Sequence, residues 1–159
     1  MNGAHLHLLI NHFPIIGLVF SLGVLVVATA RRRPDLARTG LVMLVVVALI
    51  SIAVYLTGKP AEEIVESLPG TSDTVLERHE EAGLIALIAI EVLGAFSLLS
   101  LIAHRRPQPF PGWLLYTLLV LTLAVSGWVG WTSSIGGQIT HPEARPGFNP
   151  VLPTINLEE

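Results

Sequence analysis

The chain contains no cysteine. That absence excludes disulfides, thiolate-ligated zinc, iron–sulfur clusters and covalent c-type haem, which needs Cys-x-x-Cys-His. Any metal or haem must therefore rest on His, Met or carboxylate. Charge is scarce too. Charged residues make up 13% of the 159, about half the share of a typical soluble domain. The nine Lys and Arg sit at segment ends, and no basic patch suited to nucleic acid is present. The length is that of one domain.

What fills the chain instead is apolar. The hydrophobic share is 52% and the mean hydropathy is +0.67. Four uncharged or nearly uncharged runs stand out, at about 6–30, 39–57, 82–103 and 113–135, each long enough to cross a hydrocarbon core of roughly 30 Å. Arg31-Arg32-Arg33-Pro34 ends the first run, so its positive charges follow the apolar stretch, which argues for an uncleaved span over a signal peptide. The expected fold class is all-α, an integral membrane four-helix bundle over residues 1–146. Residues 147–159 form an extended tail with Pro150 and Pro153. Ala61–Leu68 has apolar residues near helical spacing and predicts a short surface helix.

Orientation follows from the short basic flanks. Arg31, Arg32, Arg33, Arg38, Arg105 and Arg106 share one side; Lys59, Arg78 and Arg145 share the other. The first side is expected to be cytoplasmic, in a bacterial inner membrane. Both termini then lie on the periplasmic side. Trp113 and Tyr116 would anchor the inner interface, Trp128 and Trp131 the outer one.

This topology gathers the histidines. His5, His7 and His12 start the first span, His79 precedes the third and His141 follows the fourth, so five of six fall at the outer face. His5 and His12 are seven residues apart and share a helical face; His7 points elsewhere. Pro14 either bends a helix running from His5, or sits in the first turn of a helix that starts near Asn11. In the third span His79, Gly83, Ala86, Ile90, Gly94 and Ser97 fall within roughly 80° of one another. Small residues below His79 permit close helix approach or leave room for a flat cofactor. Glu91 lies about 18 Å further along that span. An intramembrane carboxylate is costly unless neutral or paired, so Glu91 is either a proton-handling group or a partner for Ser51 or Tyr55.

Imidazoles from different helices at one depth suit haem b, which takes axial ligands and an apolar slot from bundle cores. His12 and His79 are the expected iron ligands. His5, His7 and His141 are held in reserve for a second haem or as hydrogen-bonding support. Arg78 and Lys59 would meet the propionates.

The segments INHFPIIG, TGKPAEE, RHEEAGLIALIA and GWVGWTSSIGGQITHPE occur in that order. Together they resemble a family of small, uncharacterised bacterial membrane proteins with four spans and a His-Phe-Pro-Ile motif opening the first. The resemblance implies a four-helix membrane bundle, and some members look like b-type cytochromes or subunits of electron-transfer complexes. It carries over His12 and His79 directly and His141 loosely.

The expected function is a membrane electron-transfer subunit with bis-His haem b, one or two, near the periplasmic face. Its partners would be the lipid bilayer and a periplasmic redox protein or other subunits of a complex, with quinone as a further cofactor. It reads as a redox subunit more than a self-contained enzyme. One alternative is a cofactor-free docking subunit. Another is a metal-binding or transport protein using the histidines with Glu80 and Glu81.

Overall fold

The computed structural model describes residues 2–105 and 109–150. Arg106 and the tail from residue 151 onward, including Pro153, lie outside the described residues. Five α-helices follow one another: α1 (Gly3–Ile10), α2 (Phe13–Ala30), α3 (Pro34–Val65), α4 (Asp73–Ala103) and α5 (Gly112–Thr140). A single 3₁₀ turn, Pro142–Ala144, follows α5. Four helical stretches are long and apolar enough to cross a membrane, with α1 and α2 together making the first.

Pro14 divides that first stretch. It sits in the first turn of α2, where a missing N–H costs nothing. The residues before it form a helix of their own, with Asn2 Oδ1 accepting from the His5 N–H at 2.9 Å as its N-cap. Pro60 acts differently. It lies inside α3, which runs on to Val65. Of the separate helix expected over Ala61–Leu68, residues 61–65 instead form the end of α3, and Glu66, Ser67 and Leu68 lie in the turn beyond it. Proline removes one backbone bond, and a helix already docked along its length carries that loss. α4 likewise begins at Asp73, more than two turns before the apolar run, so His79 is well inside a helix.

Four helices close into a ring. α2 packs against α3 and α5, and α4 against α3 and α5, while α1 lies on α3. Leu18 and Leu25 of α2, Leu41 and Leu44 of α3, and Leu114 and Leu118 of α5 are almost wholly buried at its centre. Gly94 of α4 faces Ala48 of α3 with no room for a Cβ, so the small-residue face of the third span brings those two helices together. Ser21, Ser51, Ser97, Thr122 and Ser126 are buried in the same core, and each hydroxyl donates to the carbonyl four residues earlier. Polar groups thus enter the core without crossing between helices. The outward faces are apolar, with Phe20, Leu49, Leu56, Val92, Leu99 and Val120 exposed as lipid-facing side chains.

Two sets of contacts define the ends. At one, the Arg38 guanidinium donates to the His104 carbonyl and lies over the Phe110 ring. At the other, Arg145 donates to the carbonyls of Gln138 at 2.8 Å, Ile139 at 2.8 Å and Gly70 at 3.0 Å. Gly3 packs on Pro60 at that same end. Both ends of the described chain therefore share the end that carries the 66–72 loop.

Candidate functional site: a histidine pair between four helices

The sequence-predicted residues separate into two groups. His5, His12 and His141 are exposed. His12 occupies the turn between α1 and α2, and its side chain makes no capping bond to α2. His141 lies beyond α5 and bonds Glu143 at 2.9 Å through Nδ1. The Glu143 backbone amide first, and His141 second, hold that carboxyl below its ordinary range. His7 and His79 are half-buried and lie within electrostatic reach of one another. The structure thus sets His7 and His79 within electrostatic reach of one another, where depth in the sequence and the family resemblance favour His12 and His79.

Each ring is held by a helix other than its own. His7 Nδ1, from α1, lies 3.1 Å from the Val54 carbonyl and 3.2 Å from Thr57 Oγ1, both in α3. The Thr57 hydroxyl itself donates to Val54 O at 2.8 Å, so it faces His7 as an acceptor. His79 Nδ1, from α4, lies 3.1 Å from the Thr132 carbonyl of α5. A carbonyl only accepts, so in each neutral ring Nδ1 must carry the proton. The lone pair is then at Nε2. A metal-binding histidine commonly has this arrangement, with one nitrogen oriented by a backbone carbonyl and the other free to ligate.

Glycines flank both rings. A Cβ on Gly58 would sit 3.8 Å from His7 Cε1, and one on Gly136 only 2.8 Å from His79 Cε1. Gly136 is what lets the His79 ring lie against α5. On the other side, a Cβ on Gly83, one turn below His79, would meet nothing within 4 Å. α4 and α5 are further fixed by the Trp128 indole, which donates to the Ala82 carbonyl at 3.2 Å. Trp128 is therefore a packing residue as well as an expected anchor. Trp131 lies under the Arg78 guanidinium, 5.4 Å from its ring centroid. Lys59 bonds Glu62 at 2.9 Å and approaches Glu80 of α4 at 3.6 Å. Two cations thus border the histidine pair, one following Gly58 and one preceding His79.

A model of the family described as "Predicted membrane protein (DUF2231)" matches residues 3–141. The chain belongs to this family. The match spans every helix of the bundle and both histidines of the pair, and it agrees with the four membrane-length stretches of the fold. No curated protein and no solved structure matches the chain.

The chemistry open to this family member at the paired histidines is limited by donor count. Among the described residues, no three His, Asp or Glu side chains come together as a metal cage. Two imidazoles are too few for a protein-built site for a free cation, which takes three or four ligands. They are the number a haem needs, because the porphyrin supplies the other four donors. Glu91 stands apart. It is half-buried in α4, and its Oε1 is shielded with no hydrogen-bond partner among the described residues. The Ser51 hydroxyl donates to Val47 at 2.9 Å instead.

Proposed function

We propose that the protein is a membrane electron-transfer subunit holding haem b between His7 and His79, at the end of the bundle that carries Gly3, Gly70 and Arg145. The observation that supports this most is the matched pair of Nδ1 bonds. Two histidines from different helices are each oriented by a carbonyl of a further helix, which leaves two Nε2 lone pairs at one end of the bundle. The residues present fit the group in donor set, and Gly83 leaves space beside His79. Lys59 and Arg78 would meet the propionates. A haem held by these two histidines would supply a one-electron couple, so carriage of electrons fits better than substrate turnover.

The basic flanks argue that this end faces the periplasm of a bacterial inner membrane. The electron partner would then be a periplasmic redox protein or another subunit of a membrane complex. Quinone is the candidate partner within the bilayer, with Glu91 as the group positioned to hold a proton at depth. His5, His12 and His141 are assigned no ligand role.

A reduced-minus-oxidised visible spectrum of detergent-purified protein from haem-replete cells tests the proposal. A low-spin b-type spectrum, one haem per chain, is the expected result. A colourless protein would overturn it. The second reading is a cofactor-free docking subunit. The same hydrogen bonds favour it, since His7 ties α1 to α3 and His79 ties α4 to α5 whether or not a ligand is present.

A further inference from the structure

The two proposed ligands are mounted very differently. His79 sits in a 31-residue helix, with its ring against Gly136, and with Ala82, three residues on, tied to Trp128 of α5. His7 sits in an eight-residue helix in which no residue is fully buried. Leu8 and Leu9 of α1 are 68% and 60% exposed, facing outward. Pro14 has no N–H to offer the Ile10 carbonyl, so the helical bonding of α1 is interrupted at the Asn11–His12 turn. His7 is the only α1 residue whose side chain hydrogen-bonds another element among the described residues. Gly3 against Pro60 is the apolar part of the same contact with α3.

α1 packs chiefly on α3 and has no fully buried residue, so it can leave that helix without unpacking the four-helix ring. We propose that α1 is a hinged arm that admits the cofactor: it swings away from α3 about the Asn11–His12 turn and closes again by placing His7 on the bound group. The inference rests on the haem reading. It divides the labour between a fixed ligand on α4 and a mobile one on α1. The same ring that docks α1 becomes the ligand, so loading the site and docking the arm are one event.

A disulfide between α1 and α3 tests this. A Cβ on Gly3 would lie 2.5 Å from Pro60 Cβ. Bridged cysteines hold their Cβ atoms about 3.5–4.5 Å apart, so a G3C/P60C pair needs a shift of roughly 1 Å at the end of the chain. The absence of native cysteine makes this the only disulfide possible. Haemin uptake by the cofactor-free variant, followed by visible absorbance, should be about tenfold slower in the oxidised than in the reduced form. Both should reach the same final spectrum. Equal uptake rates would overturn the arm and leave the haem reading standing. If neither form takes up haemin, while the wild type is also colourless, the haem reading falls and the entry role falls with it.

Hydrogen exchange on wild-type protein freed of cofactor, in detergent, does not depend on the disulfide. Amides of residues 3–10 should exchange about tenfold faster than those of residues 79–86. Equal protection of the two segments would also overturn the arm.

Discussion

Gly136 and Gly137 are adjacent in α5, yet they should respond oppositely to the same substitution. A Cβ on Gly136 would lie 2.8 Å from the His79 ring, whereas one on Gly137 would meet nothing within 4 Å. Gly137→Ala should raise the midpoint of thermal unfolding slightly, since alanine is favoured over glycine in a helix by about 1 kcal/mol. Gly136→Ala gains the same preference but pushes on a ring held at Thr132. Overpacking of this kind costs about 1–3 kcal/mol, so the midpoint should fall and haem occupancy with it. At this scale the sequence is only partly legible. His79 is readable because it stands above a face of small residues. His7 is not, because the features that single it out are carbonyls of Val54 and a proximity to His79 that exist only once four helices have assembled. His12 looks better placed by depth in the sequence, but it falls in the turn between α1 and α2 and its side chain is exposed. The glycines at 58 and 136 were the available signal for the ring positions.

At the scale of elements, the spans are legible because hydrocarbon thickness demands long apolar runs. Their ends are not. α3 continues past Lys59 and Pro60, and α4 starts at Asp73 and runs through Glu77, Glu80 and Glu81, because charged side chains are good helix formers once the helix leaves the bilayer. These projecting turns carry Lys59, Arg78 and His79, so the site depends on the very part that hydropathy truncates. The loop between them is held from the far end of the chain. Gly70 has φ 84°, a left-handed conformation that glycine accepts readily, and its carbonyl takes a bond from Arg145. The other two Arg145 bonds reach carbonyls in the last turn of α5, where a cation also complements the helix dipole. Arg145→Ala should speed limited proteolysis at residues 66–72 several-fold, while the midpoint of unfolding moves little, by about 1 kcal/mol or less of stability. Unchanged proteolysis would show that the loop holds itself.

For the molecule as a whole, the bundle buries leucines and self-bonded hydroxyls at its centre and turns an apolar face outward all round. Its polar chemistry is concentrated at the ends. One end is closed by Arg38, His104 and Phe110. The other holds two half-buried imidazoles with bordering cations, and every membrane-length stretch contributes either a ring or the carbonyl that orients it. That convergence separates the pair from interfacial histidines wetted at random. A docking subunit needs the helix ties but not the free nitrogens, and this difference decides between the two readings. The most direct measurement is the reduced visible spectrum of the purified wild type beside His7→Ala, His79→Ala and His12→Ala. The account predicts a low-spin b-type spectrum that is lost in the first two variants and kept in His12→Ala. A spectrum lost in His12→Ala but retained in His7→Ala would contradict it.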